Sequence, residues 1–449
     1  MAEATLLDRD AGELAAWMRE GRLGLGELAD LVLARIRERE PGVKAFAFFD
    51  EERFRRQVEE REFERRLGRA KGPLFGLPVG VKDVFDTRDM PTAFGTRIHE
   101  GRQPLRDAWV VARLREAGAI IAGKTVTAEM AALTPGPTRH PRDPERTPGG
   151  SSMGSAAAVA AGMVPLAVGT QTNGSVIRPA AFCGVYGFKP SFGLIPRTGC
   201  LMQADSLDHV GVFGRSLAEV ALLAEVLCGF DRDDAATVPR ATPPLRALLA
   251  SEPPVAPKLA WVPGPGWERC ETAVREGFGE IAEVLGERLV QVEMPRPFAD
   301  AVLAHRIVWT AEMAYHFQRE YAKGPGGLSD GLRAMIEEGM RVSALDYRKA
   351  LGLRESCRRA LAEMFEEFDA ILTPAALGEA PSAETTGDPI CCTWWTFVGA
   401  PALSLPLLEG ERGLPIGVQL VGEIEGDGAL LRTARWLEGR LAAAHEEGT

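Results

Sequence analysis

Residues Pro148 to Phe188 read PGGSSMGSAAAVAAGMVPLAVGTQTNGSVIRPAAFCGVYGF, and the organisation of the whole chain follows from them. The stretch opens on two glycines and two serines, Gly149 to Ser152, and the alanine run Ala156 to Ala161 behind them predicts a helix that Ser151 or Ser152 would cap. The apolar run Met163 to Val168 predicts a strand, and a second polar turn then ends in Gly174-Ser175. Pro179 favours a helix starting just after that turn. Two serines thus sit in Gly-rich turns at the two ends of one helix-strand unit. A strand, a tight turn and a helix N-terminus make a site suited to stabilising developing negative charge.

The strings GGSSxGSAAAVAAG and GTxTxGSxxxPAAFCGVxGFKPS within this stretch resemble the signature of the amidase signature family of serine amidohydrolases. Upstream, GPLFGLPVGVKDVFDTRDMPTAFGT (Gly72 to Thr96) resembles the lysine segment of that family, and DAWVVARLREAGAIIAGKT (Asp107 to Thr125) resembles the piece between them. The similarity runs from about Pro73 to Val212 and continues more loosely to the PIGVQLVG strand at Pro415 to Gly422. Three ordered motifs are far more specific than one short pattern.

The resemblance implies an α/β fold: a single large domain, residues 1–449, with a central mixed β-sheet covered by helices on both faces. Within it the sequence divides into N-terminal helices (1–71), a catalytic core (72–240), a mostly helical, cap-like variable region (241–368) and a return to the core sheet with a C-terminal helix (369–449). The resemblance also implies that Ser175 is the nucleophile, that Ser151 carries protons and is held by a cis peptide, and that Lys82 is the base. The string GTQTxGSVIRPA is similar to a malonamidase-like branch whose substrates bear a carboxylate, which Arg178 would bind; read blandly, Arg178 pairs with an aspartate or glutamate and only braces the loop.

Amide bonds resist water, so cutting them takes a strong nucleophile, a donor set for the oxyanion and an acid for the leaving nitrogen. The serines at 151 and 175 are 24 positions apart, enough for one helix and one strand to fold back and bring both turns together. Lys82 follows the apolar run Leu77 to Val81, so burial would lower its pKa from the ordinary value of about 10.4. Taken alone it reads as a surface lysine paired with Asp83 or Asp86; beside the two serine motifs it reads as a base. The backbone N–H groups of Thr172, Asn173, Gly174 and Ser175 would form the oxyanion hole, each donor contributing ~3 kcal/mol in the transition state. Read blandly, the same residues are an ordinary Asn-Gly turn.

Gly150 to Gly154 also satisfies GxSxG, with Ser152 as the nucleophile of a hydrolase elbow. An elbow needs a buried strand before it, and Arg142 to Pro148 is polar and turn-like. The six histidines are scattered and offer no triad partner. Two departures from the family pattern stand out. Gln171 occupies the position of an aspartate four residues before the nucleophile, and Arg178 lies three residues after it instead of two. Asn173 replaces a glycine but keeps its N–H.

The net charge of −11 and the absence of a basic block exclude nucleic acid and anionic membrane as expected partners. Seven cysteines without a CxxC pair read as free buried thiols of a cytoplasmic protein. The first residues lack a basic segment leading into an apolar run, so no signal peptide is expected. No apolar stretch approaches the ~18 residues of a membrane span. The chemistry calls for no metal and no cofactor, the expected ligand is a small-molecule amide, and a homodimer is left open.

Three functions follow: a stand-alone amidohydrolase, the amidase-like glutaminase component of a tRNA-dependent amidotransferase, or an anion-binding protein. The last has no GK[ST] or GxGxxG motif behind it. The departures at Gln171 and Arg178 and the acidic surface favour the first.

Overall fold

The computed structural model describes residues 6–324 and 326–447. Residues 1–5, part of the N-terminal stretch read above as lacking a leader, lie outside the described residues, as do 325, 448 and 449.

Eleven strands form one mixed sheet: β1 (Phe46–Phe49), β2 (Pro78–Lys82), β3 (Ile120–Thr125), β4 (Leu166–Gln171), β5 (Tyr186–Lys189), β6 (His209–Gly214), β7 (Leu259–Trp261), β8 (Leu289–Gln291), β9 (Ala370–Pro374), β10 (Ala402–Glu409) and β11 (Pro415–Val421). Their order is β1-β3-β2-β4-β6-β5-β10-β11-β9-β7-β8. The pairs β2/β3, β2/β4, β7/β8 and β7/β9 are parallel, and the remaining six are antiparallel. Every residue of β2, β3, β4 and β6 is buried, as expected of strands covered on both faces.

The two covering layers can be read from β6. A Cβ placed on Gly211 would meet Val176, and one placed on Gly214 would meet Glu219 and Val220. Residues three apart on a strand point to opposite faces, so the turn before helix Ile177–Cys183 lies on one side and helix Leu217–Leu227 on the other. Helix Met153–Ala160 packs against β4 and β2, and its small side chains allow a very close approach. A Cβ on Gly154 would lie 2.1 Å from the carbonyl oxygen of Ala45.

Most sequence expectations hold. The two N-terminal helices are Ala11–Glu20 and Leu25–Val43, and the charged helix is Glu51–Arg66, capped by Asp50. The C-terminal helix is Asp427–Glu447. Two readings need correction. The segment Phe188 to Arg197 reads as too rich in Pro and Gly for regular structure, yet Phe188 and Lys189 end β5, where Phe188 pairs with Val212 and Leu403. The region 241–368 is mostly helical, but β7 and β8 extend the central sheet beside β9, so its first part is a sheet edge.

Candidate active site

Strand β2 ends at Lys82, which is fully buried. Its Nζ lies 2.8 Å from Ser151 Oγ and 2.8 Å from Thr170 Oγ1. The acidic residues that a surface lysine would have paired with are engaged elsewhere. Asp83 pairs with Lys124 at 3.0 Å, and Asp86 grips Arg102 at 2.6 and 2.9 Å. Burial lowers the Lys82 pKa to about 7, a shift that nearby Asp208 opposes and Arg178 reinforces.

Ser151 follows a cis peptide bond from Gly150, as the resemblance implied. Ser152 occupies the N-cap position of helix Met153–Ala160 without capping it through its side chain. Its hydroxyl instead donates to the Thr170 carbonyl (3.2 Å) and accepts from the Thr170 N–H (3.3 Å). This double tie, with no exposed surface, leaves Ser152 unfit as an elbow nucleophile. It also pins the first serine turn to the end of β4, where the second begins.

Ser175 is 6% exposed, and among the described residues its hydroxyl bonds to no group of the protein. Lys82 and Ser151 are therefore in direct contact, while no hydrogen bond joins Ser151 to Ser175. The N–H groups of Asn173, Gly174 and Ser175 make no hydrogen bond among the described residues. Three such donors in a row can receive an oxyanion. Gly174 has φ 76°, a left-handed conformation that suits glycine, and a Cβ there would sit 3.0 Å from Arg178 Nη1.

The turn is held from every side. Thr172 Oγ1 donates to Asp208 at 2.6 Å, and the Thr172 carbonyl accepts from His305 Nε2 at 3.0 Å. Asn173 Oδ1 accepts from Thr393 Oγ1 at 3.0 Å. Gln171 Oε1 accepts from the N–H groups of Val176 and Ile177 at 2.9 and 3.1 Å, and its amide donates to Thr396. A neutral amide thus caps the helix start where the family pattern has a carboxylate.

Arg178 is fully buried, with burial lowering its pKa to about 10. Its Nη2 donates to the Gly150 carbonyl (2.7 Å), its Nε to Thr386 (2.8 Å) and its Nη1 to Asn173 (3.5 Å). One guanidinium therefore ties the two serine turns together. No carboxylate pairs with it among the described residues. Beside Thr386, whose hydroxyl donates to the Leu133 carbonyl, lies a cavity of about 520 Å³ lined by Leu133, Arg306, Met335 and Glu384.

Sequence reasoning missed Thr170, Asp208, His305 and Thr386. Thr170 was within reach, since it lies in the GTQTNGS string itself. The other three come from distant segments and carry no local signal.

The α/β scaffold thus brings together a buried lysine on a serine hydroxyl, a serine whose hydroxyl has no partner and N–H donors without partners among the described residues. The amidase family model matches residues 27–431, and the chain belongs to that family, whose members hydrolyse amide C–N bonds. It is 35% identical to a glutamyl-tRNA(Gln) amidotransferase subunit from Symbiobacterium thermophilum, with 95% of each chain covered. Among solved structures it resembles a chain of a vestigial complex that reveals the origins of an s-triazine catabolic enzyme (TM-score 0.89, 27% identity, 96% of this chain and 98% of that chain). It also resembles the native peptide amidase of Stenotrophomonas maltophilia (TM-score 0.82, 28% identity, 96% of each chain).

Proposed function

We propose that the protein hydrolyses a small carboxamide through Lys82, Ser151 and Ser175 by way of an acyl-enzyme. The observation that carries this reading is the 2.8 Å contact between Lys82 Nζ and Ser151 Oγ, made by a lysine whose pKa is about 7. Neutral Lys82 takes the proton of Ser151 as Ser151 takes that of Ser175, and Ser175 Oγ attacks the amide carbon. The oxyanion is received by the N–H groups of the turn Thr172 to Ser175, Thr172 completing the three free donors. The leaving nitrogen takes its proton back through Ser151 and departs as ammonia or an amine. Water then cleaves the acyl-enzyme along the same proton path. The Ser151-to-Ser175 leg closes when substrate is bound, as apo catalytic hydrogen bonds commonly do.

Arg178 has five N–H donors, and three face carbonyls, so two remain for a substrate carboxylate. An amide with an acid at its other end would supply the counter-charge that Arg178 lacks among the described residues. Kinetics test this: Arg178→Ala should raise KM for carboxylate-bearing amides far more than for neutral amides of equal size. Equal losses on both would restrict Arg178 to bracing the turns.

A second reading is favoured by the 35% identity to a component of a glutamyl-tRNA(Gln) amidotransferase. In it the same residues hydrolyse glutamine and pass ammonia to partner proteins. A screen of amides and ureas reading released ammonia, with glutamine included and partner proteins added or withheld, separates the two. Turnover of a small amide by the chain alone supports the first; glutamine turnover that needs partner proteins supports the second.

A further inference from the structure

The oxyanion turn is aimed through its carbonyls. In a trans peptide the C=O of one residue and the N–H of the next lie in one plane and point in opposite directions. The cis bond found among the described residues is Gly150–Ser151, so the peptides of the turn are trans. A hydrogen bond on the Thr172 carbonyl therefore sets the direction of the Asn173 N–H, and one on the Gly174 carbonyl sets that of the Ser175 N–H. The second is made locally, by Arg178 N–H at 2.9 Å. The first comes from His305, 133 residues further along the chain.

We propose that His305 is a positioning residue for the amide hydrolysis, its Nε2–H holding the Thr172 carbonyl so that the Asn173 N–H points at the oxyanion. The inference rests on the reading of Ser175 and its turn as the site of acylation. A carbonyl oxygen only accepts, so Nε2 carries the proton and the tautomer is assigned by the partner. Full burial favours the neutral ring, with the pKa lowered to about 4. The ring is fixed by edge contacts with Trp309 and Phe397.

The helix that presents it, Ala301–His316, is itself anchored to the core. Trp309 Nε1, one turn after His305, donates to Gln203 at 2.8 Å, and Gln203 donates to the Met130 carbonyl at 2.9 Å. Glu312 accepts from the N–H and hydroxyl of Ser206 at 2.9 and 2.6 Å. Among the described residues the helical region thus reaches the oxyanion turn through one hydrogen bond, and His305 makes it.

The test uses the full chain and a fluorophosphonate, whose phosphoryl oxygen stands in for the oxyanion. Ser175 Oγ forms the bond to phosphorus, the P–F bond breaks, and fluoride and the hydroxyl proton leave. Three variants are compared with the wild type. His305→Gln places an amide N–H near Nε2, His305→Asn places one near Nδ1, and His305→Leu has none. We expect His305→Leu and His305→Asn to lower the maximal labelling rate roughly 10- to 100-fold, as for a misaimed oxyanion donor. The half-saturating probe concentration should stay unchanged, and His305→Gln should recover most of the rate. A merely structural histidine would not separate Gln from Asn. A His305→Leu rate within threefold of wild type, or equal losses in folded Gln and Asn variants, would overturn the proposal. If His305→Leu does not fold, the Gln and Asn pair still decides. Failure of wild-type Ser175 to label at all would instead overturn the acylation reading on which the inference rests.

Discussion

Lys82 illustrates how burial without a close carboxylate shifts a lysine toward its neutral form. Lys124 and Lys189 are also buried lysines, but Lys124 holds Asp83 at 3.0 Å and Lys189 points at the carbonyls of Ala400 and Pro190. Among the described residues only hydroxyls, and one carbonyl at 3.5 Å, lie within hydrogen-bond reach of Lys82 Nζ, and burial outweighs the opposing charge of the more distant Asp208. In the proposed mechanism Lys82→Ala should slow acylation by about 10²- to 10⁴-fold, the range for loss of a general base. Lys82→Met fills the same space without a charge to desolvate and should raise stability by roughly 1–4 kcal/mol near pH 7 in urea unfolding. The sign follows from linkage. The folded pKa of about 7 lies below the unfolded value of 10.5, so between these pH values the unfolded chain holds the extra proton and the wild type is penalised. The advantage of Lys82→Met should therefore shrink as pH rises from 7 toward 10.5. A gain that stayed constant across this range would mean that Lys82 is charged in the fold.

Helix Met153–Ala160 and strand β4 carry the two serine turns, and their register depends on small residues. Gly154→Ala would drive a Cβ into backbone at 2.1 Å and should cost about 3 kcal/mol or more. Gly279 lies in helix Thr272–Leu285 with nothing within 4 Å of a Cβ, so Gly279→Ala should stabilise by about 0.4–1 kcal/mol. Chemical denaturation measures both, and equal effects would contradict the packing described. This element was legible in sequence because its message is local: Gly and Ala at close-packing positions, a buried strand, two glycine turns. The clamps on the second turn were not. Asp208, His305, Thr386 and Thr393 arrive from four other segments, and no short pattern records that a carbonyl at Thr172 meets an imidazole from residue 305. Strand β5 was missed for a related reason, since its pairing with β6 and β10 overrides the Pro and Gly that follow it.

At the scale of the molecule, one sheet carries the candidate site near one end and extends through β9, β7 and β8 at the other. The fold class was readable because three motifs in fixed order spanned the core. The extent of the sheet was readable only in part: the run Val290 to Val292 reads as a strand and overlaps β8, but three-residue β7 lies beside long helices without a pattern of its own. No helix among the described residues is long and apolar enough to cross a membrane. The proposed function depends on the whole arrangement delivering a neutral base to a free serine, and the pH dependence of that delivery is its most direct signature. Labelling of the intact protein by a fluorophosphonate should be followed from pH 5 to 9, with the adduct mapped by peptide mass. The account predicts an adduct on Ser175, a wild-type rate that rises through about pH 7 to a plateau, and a slow profile without that rise in Lys82→Ala. An adduct on Ser152, or a wild-type rate that does not change across pH 7, would contradict it.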